Sequence, residues 1–173
     1  MSDAKIPLAA VIGCPVAHSK SPQLQRHWLN TYGVSGHYIP MHVEPGDLED
    51  VIRSMPKMGF VGANVTIPHK EKVMSIADQV TDRATLIGAA NTLIFRKDGT
   101  ILADNTDGYG FITNLHQMAP EWDPKSGPAV VLGAGGACRA VVASLLEAGV
   151  TELVLSNRTR GRADQLRQEF GAR

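Results

Sequence analysis

Short apolar runs alternate with longer segments of helical period along most of the chain, and this alternation constrains the fold more than any other feature. Apolar runs of about four to eight residues between turn residues are typical of buried strands, and recurrence every three or four residues is typical of helices. Alternating strands and helices build a mostly parallel sheet. We therefore predict an α/β fold. The predicted strands span residues 8–13, 37–43, 60–67, 90–95, 100–103, 129–132 and 152–156, and the predicted helices span residues 21–32, 47–55, 70–77, 81–86, 106–118 and 137–148.

Local signals refine this plan. Ser21 is the expected N-cap of the first helix and Pro22 its first residue, because proline suits that position. A turn of Asp98 and Gly99 between apolar runs predicts a hairpin. The segment 119–128 is rich in proline and reads as a linker, after which a new strand–loop–helix unit begins. The boundary is expected near residue 105 or 125, and we divide the chain into domains 1–105 and 106–173.

Composition excludes several classes of function. Basic and acidic residues balance at 17 each, so no charge excess favours nucleic acid or an anionic membrane. The apolar stretch 7–17 is short and is broken by Gly13 and Pro15, which argues against a signal sequence, and no run is long enough to cross a membrane. The two cysteines, Cys14 and Cys138, are far apart and match neither a disulfide framework nor a zinc motif. We expect a cytoplasmic protein with no nucleic-acid or membrane partner and no metal.

A glycine-rich loop follows the apolar run that begins at residue 129. Glycines let the backbone turn sharply and approach a pyrophosphate, whose charge is favoured at the N-terminus of the next helix. Cys138 stands where the third glycine of the usual pattern would be, and a small residue there still permits close packing. The context of strand, loop and helix favours a dinucleotide site over a simple tight turn. The candidate loop residues are Gly133, Ala134, Gly135, Gly136 and Ala137.

The end of the next strand indicates which dinucleotide would bind. NAD sites usually place a carboxylate there to bind the ribose hydroxyls, but this strand ends in Asn157, Arg158 and Thr159. Arg158 can pair with a 2′-phosphate, and its neighbours can donate to it. NADP is therefore favoured over NAD, unless Arg158 is only a solvated loop residue.

Polar side chains also stand at the strand ends of the first hundred residues. Ser19 and Ser21 could together bind a carboxylate, although Ser21 could equally serve only as a cap. Asn64 and Thr66 are predicted on the same face of one strand, so an amide and a hydroxyl could share a pocket.

Three further residues are ambiguous when taken alone. Lys70 follows a strand end, where open α/β sheets bind ligands, but a lone lysine is usually a solvated charge. Asn91 is an amide among apolar neighbours. Asp107 would by default be a helix cap, and it becomes a functional candidate only if Lys70 lies beside it.

Six motifs, in order and at family-like spacing, together resemble the shikimate dehydrogenase family. The resemblance covers essentially all 173 residues. The motifs span residues 13–22, 62–70, 88–92, 104–108, 133–137 and 157–159.

The resemblance implies an oxidoreductase that reversibly reduces 3-dehydroshikimate to shikimate with NADP, in aromatic amino acid (chorismate) biosynthesis. Ser19 and Ser21 would bind the shikimate carboxylate, and Lys70 with Asp107 would form the catalytic pair, with Lys70 favoured as the proton acceptor. The ring hydroxyls would be held by Asn64, Thr66, Asn91 and Asp107. Domain 1–105 would bind substrate and carry catalysis, and 106–173 would be an incomplete Rossmann NADP-binding domain. A monomer or homodimer is expected.

The family typically continues for about a hundred residues more, so the chain is expected to lack the rest of the nucleotide sheet and to expose apolar surface. Three alternatives stay open. The first is a quinate/shikimate dehydrogenase that uses NAD, which Arg158 argues against. The second is a shikimate-binding fragment without turnover. The third is a tetrahydrofolate-type dehydrogenase, in which two of the motifs would be accidents.

Overall fold

The computed structural model describes residues 6–171, which fold into two compact units. The first comprises the chain up to Thr85 together with Ala89–Asp104, and the second comprises Leu86–Gly88 together with the chain from Asn105. The functions assigned to the two predicted domains stay predictions at this point.

The first unit is built on a six-stranded, mostly parallel sheet, as the alternation of strands and helices predicts. Its strand order is β2-β1-β3-β5-β6-β4, with β1 parallel to both β2 and β3, β6 parallel to β4, and β5 antiparallel to both of its neighbours. The strands are β1 (Leu8–Gly13), β2 (His37–His42), β3 (Phe60–Val65), β4 (Gln79–Val80), β5 (Thr92–Phe95) and β6 (Ile101–Asp104). The helices between them are α1 (Ser21–Thr31), α2 (Leu48–Ser54) and α3 (Asp82–Ile87), and Met55–Met58 and Lys72–Ser75 form 3-10 turns.

One apolar core lies against this sheet. Its members come mainly from the strands, from α2 and α3, and from the two 3-10 turns. They include Ile12, Ile52, Val65, Val73 and Leu93, each no more than 2% exposed. Burying one such side chain stabilises the fold by about 1.5–3 kcal/mol. This core fixes the strands whose ends carry the polar residues described below.

Two local predictions for this unit are wrong. In place of the predicted helix 70–77 there is a single 3-10 turn, because the chain must leave helical geometry to pair with β6. The Asp78 N–H donates to the Ile101 carbonyl at 3.0 Å, and the Asp78 side chain accepts from the Ile101 N–H at 2.8 Å. Lys20, and not Ser21, is the N-cap of α1, and Ser21 is already helical. The strand β4, which is only two residues long, was not predicted from the sequence.

The second unit contains a two-stranded parallel sheet and three helices. They are α4 (Asp107–Met118), β7 (Ala129–Leu132), α5 (Gly136–Glu147), β8 (Leu153–Ser156) and α6 (Arg160–Phe170). Arg139 of α5 ties this unit together, because its Nε donates to the Ile87 carbonyl at 2.8 Å, its guanidinium pairs with Glu169, and it lies 5.8 Å from the centre of the Phe170 ring.

The two strands of this unit alternate between covered and exposed residues. Val130, Leu132 and Val154 are 63%, 82% and 45% exposed, so one face of the sheet presents apolar side chains to solvent. Parallel sheets are normally covered on both faces. The exposed apolar surface expected from the sequence is therefore present in the described chain.

Candidate functional site

The ends of β1 and β3 continue side by side beyond the sheet. The Thr66 N–H donates to the Ile12 carbonyl at 2.9 Å, and the Cys14 N–H donates to the Ile67 carbonyl at 3.0 Å. These bonds hold the segments 14–20 and 66–70 next to each other at the carboxyl ends of the parallel strands. That edge is where open α/β sheets bind their ligands.

Gly13 makes this close approach possible. A Cβ added there would lie 2.5 Å from the Thr66 methyl carbon and 3.2 Å from the Ile67 carbonyl oxygen. Real side chains do not tolerate the first distance, so a larger residue would push the two segments apart. The glycine thereby sets the position of Thr66, which is half-buried at the strand end.

Ser19 and Ser21 are both half-buried where α1 begins. The Ser21 N–H donates to the Ser19 Oγ at 3.3 Å, and the Ser19 N–H donates to the Val16 carbonyl at 3.0 Å. The Ser21 hydroxyl makes no capping bond, because Lys20 is the cap residue. Helix capping, the simplest structural role for Ser21, is therefore excluded.

Asn64 and Asn91 meet across β3 and β5. The Asn64 Nδ2 donates to the Asn91 carbonyl and to the Thr92 Oγ1, both at 3.3 Å, and the Thr92 hydroxyl donates to the Asn91 Oδ1 at 2.9 Å. All three side chains are half-buried. The amide that looks out of place in the sequence thus belongs to a polar network at the strand ends.

Tyr38 of β2 also belongs to this network, although it was not among the site residues predicted from the sequence. Its hydroxyl donates to the Asn64 Oδ1 at 2.7 Å. Burial raises the pKa of the Tyr38 phenol to about 12, while a hydrogen bond with the Ser21 side chain acts in the opposite direction. Tyr38 therefore links Ser21 to Asn64, and no sequence signal separates it from an ordinary strand tyrosine.

Lys70 lies beside this network. Its carbonyl accepts the Ala90 N–H at 2.8 Å, which places it next to Asn91. The preceding His69 is 1% exposed and its Nε2 is 2.8 Å from the Val43 carbonyl, so it anchors the segment to the end of β2. We call the first-unit set the strand-end cluster; it consists of Ser19, Ser21, Tyr38, Asn64, Thr66, Lys70 and Asn91.

Asp107 belongs to the second unit, in the first turn of α4. The Asn105 Oδ1 accepts the Asp107 N–H at 2.9 Å, and Asn105 is 1% exposed. This turn fixes the backbone of Asp107 at the start of the helix. Because Lys70 and Asp107 lie in different units, their catalytic pairing stays a prediction.

The predicted nucleotide loop connects β7 to α5. Gly133 has a φ of 107°, which glycine adopts without strain. The Ala134 N–H donates to the Asn157 Oδ1 at 3.1 Å, and the Asn157 Nδ2 donates to the Thr159 carbonyl at 2.7 Å. The Asn157 side chain therefore connects the glycine loop to the loop after β8 by hydrogen bonds.

The loop leaves room for a ligand. Gly135 caps α5 in an extended conformation, and a Cβ there would meet no atom within 4 Å. Nothing in residues 6–171 therefore demands glycine at this position, whereas close approach of a phosphate to the backbone would. Arg158 is exposed, and within residues 6–171 its guanidinium has no ion-pair partner. These residues fit a dinucleotide with a 2′-phosphate.

In the described part of the chain, no helix is long and apolar enough to cross a membrane.

Comparison with known proteins agrees with this geometry. A model of the shikimate dehydrogenase substrate binding domain matches residues 11–93, and one of shikimate / quinate 5-dehydrogenase matches residues 116–173. The shikimate dehydrogenase (NADP(+)) of Ruegeria sp. (strain TM1040) is 73% identical over 173 residues, which is 100% of this chain and 63% of the relative. The chain spans about three fifths of the length of the curated relatives it matches.

Solved structures give the same result. The shikimate dehydrogenase of Aquifex aeolicus superposes with a TM-score of 0.90 at 37% identity, covering 99% of this chain and 63% of that one. The shikimate 5-dehydrogenase of Thermus thermophilus, solved with NADP(H) and shikimate, gives 0.83 at 38% identity, covering 95% and 60%. The chain belongs to the shikimate dehydrogenase family.

Proposed function

We propose that the protein interconverts shikimate and 3-dehydroshikimate with NADP, as a step in aromatic amino acid biosynthesis. The observation that carries the proposal is the strand-end cluster, in which four hydroxyls, two amides and a lysine stand at one edge of the sheet. A ring that bears one carboxylate and several hydroxyls needs this set of partners. The relative in Ruegeria is named shikimate dehydrogenase (NADP(+)), and the Thermus structure was solved with NADP(H) and shikimate.

The substrate would be held from both ends of the cluster. Ser19 and Ser21 donate their hydroxyls to the carboxylate, where hydrogen bonds to a charged group are worth about 1.5–3 kcal/mol each. Asn64, Thr66 and Asn91 hold the ring hydroxyls. The existing bonds of Asn64 to Thr92 and Tyr38 fix its amide before substrate arrives, which lowers the entropy cost of binding.

The reaction removes a proton from a secondary hydroxyl and a hydride from its carbon. NADP, when bound, would supply the acceptor for this hydride. Lys70 takes the proton from the oxygen during oxidation and returns it during reduction. Asp107 is the predicted second member of the catalytic pair and would bind the neighbouring hydroxyl. The glycine loop would hold the pyrophosphate and Arg158 would pair with the 2′-phosphate, so NADP would be preferred to NAD.

The proposal is tested by following NADPH absorbance with shikimate and NADP⁺, with quinate and NAD⁺ as alternative substrates. We expect turnover with the first pair and little with the others. Lys70→Met should lower kcat by about 10²–10⁴-fold, the range of general acid–base catalysis. Lys72→Met is the matched control, because Lys72 is exposed two residues away, and it should keep full activity.

A folded protein that binds shikimate but forms no NADPH would replace the dehydrogenase with the shikimate-binding alternative. Equal turnover with NAD⁺ and quinate would favour the quinate/shikimate alternative. A folded protein that neither binds shikimate nor turns it over would contradict the proposed dehydrogenase and both of these alternatives.

A further inference from the structure

Cys14, His42 and Glu44 converge at the carboxyl ends of β1 and β2, outside the strand-end cluster. Cys14 directly follows β1 and His42 ends β2. The two strands are in register at Gly13 and His42, and the Val43 N–H donates to the Gly13 carbonyl at 3.2 Å. The sheet itself therefore holds a thiol, an imidazole and a carboxylate together, although they are up to 30 residues apart in sequence.

The separation of the Cys14 and His42 ligand atoms matches that of two ligands of one zinc ion, and the Glu44 oxygens lie close to both. The Cys14 Sγ lies 3.5 Å from the His42 Nε2 and 3.5 Å from the Glu44 Oε2, and the His42 Nε2 lies 3.0 Å from the Glu44 Oε1. A tetrahedral zinc with bonds of about 2.3 Å to sulfur and about 2.0–2.1 Å to nitrogen places those two ligands about 3.5 Å apart. One ligand atom from each residue lies within 4.8 Å of the other two.

The carboxylate needs only a small adjustment to join the other two. It now offers one oxygen to the thiol and the other to the imidazole. The Glu44 side chain is 63% exposed and the His42 side chain 53% exposed, so both can rotate and an ion can enter from solvent.

We propose that Cys14, His42 and Glu44 form a zinc site with a fourth position open to water or a small ligand. A thiolate and an imidazole select zinc over magnesium or calcium, which prefer sets of oxygen ligands. Binding forms three bonds from the protein to the metal and releases the thiol proton to solvent. The ion ties the start of the segment 14–20, which carries Ser19, to the end of β2.

The obvious alternative is that the three side chains only hydrogen-bond to one another. Cobalt(II) distinguishes the two, because it substitutes for zinc and reports both a thiolate ligand, through a charge-transfer band, and tetrahedral geometry, through intense visible bands. We expect both signals on titration of the protein with Co²⁺, and their loss when Zn²⁺ displaces it. Zinc should also raise the Tm, since a ligand bound only by the folded state stabilises it.

Substitutions locate the site. Cys14→Ser should abolish the charge-transfer band, and Glu44→Gln, which keeps the side-chain size, should weaken zinc binding by about 100-fold or more, beyond the range for outer-shell partners. Cys138→Ser is the matched control, since it removes the other of the two cysteines, and it should keep the spectrum. Circular dichroism shows that each variant is folded.

Three results would overturn the proposal. They are a folded protein with no thiolate band at saturating Co²⁺, a weak octahedral spectrum, or a band that Cys138→Ser removes and Cys14→Ser does not. The assay reads metal binding alone, so its outcome does not depend on the proposed dehydrogenase activity.

Discussion

Replacing Tyr38 with phenylalanine tests how the strand-end cluster is held. The change removes one oxygen and its 2.7 Å hydrogen bond to the Asn64 Oδ1, while the Asn64 Nδ2 keeps its two bonds of 3.3 Å. A typical hydrogen bond contributes about 1 kcal/mol, and an unsatisfied buried acceptor costs up to about 3 kcal/mol. Because the site is half-buried and water can reach it, we expect Tyr38→Phe to lower the unfolding free energy by about 1 kcal/mol, or about fivefold in the unfolding equilibrium.

The same substitution has a predicted pH dependence. The pKa of the Tyr38 phenol is raised to about 12 in the folded state, against about 10 for an unfolded tyrosine. A raised pKa means that the folded protein keeps its proton longer, so the contribution of Tyr38 to stability is full below about pH 10 and is lost between about pH 10 and 12. Two pKa units correspond to about 2.7 kcal/mol, which partial solvent exposure reduces to about 1 kcal/mol.

Urea unfolding at about pH 8 and at about pH 11 measures both effects. Wild type should lose more stability over this interval than Tyr38→Phe does. Tyr32→Phe is the matched control, because Tyr32 is 75% exposed, and it should behave like wild type at both pH values. If Tyr38→Phe is as stable as wild type at the lower pH and shows the same alkaline loss, the reasoning about the Tyr38–Asn64 bond is refuted.

Three other substitutions test separate parts of the account. Gly13→Ala should lower the unfolding free energy measured in urea by about 1–3 kcal/mol, because it overpacks two strand ends. Gly110 lies on an exposed helix and a Cβ there would have no atom within 4 Å, so Gly110→Ala should raise the unfolding free energy by up to about 1 kcal/mol. Equal effects of the two substitutions would contradict the packing argument. Arg158→Ala should weaken NADP⁺ binding by about 10–100-fold in a fluorescence titration and leave NAD⁺ binding unchanged, and an equal loss for both would exclude a phosphate contact. The hydrogen bond from the Ile101 N–H is the largest cause that lowers the pKa of Asp78. The ionised Asp78 carboxylate therefore stabilises the folded protein above about pH 4, and this contribution is lost as the pH falls further. Asp78→Asn should flatten the acid branch of a plot of Tm against pH, and an unchanged branch would contradict this.

Patterns within short windows predicted most of the strands and the glycine loop. The strand bounds of β1 and β7 agree with those expected, because apolar runs bounded by glycine and proline carry their own signal. The helix expected over 70–77 was wrong because the pairing of Asp78 with Ile101 decides the conformation there, and that partner is distant in sequence.

The missed features of the site have the same origin. Tyr38 matters because the order of strands brings it to Asn64, which lies 26 positions further along the chain. The proposed zinc site was not expected because the two cysteines are far apart and form no metal-binding motif, whereas the register of β1 and β2 brings His42 to Cys14. Sequence spacing cannot reveal groupings that arise from sheet pairing.

Shikimate binding depends on the strand-end cluster alone and is therefore the property to measure first. Calorimetric titration of shikimate into the protein should give saturable binding. The double variant Ser19→Ala with Ser21→Ala should weaken it by more than about 100-fold, because it loses two hydrogen bonds to a carboxylate of about 1.5–3 kcal/mol each. Ser75→Ala, at an exposed serine of the same unit, should bind like wild type. Unchanged affinity in the double variant, or no binding by folded wild type, would contradict the assignment of the strand-end cluster as the substrate site.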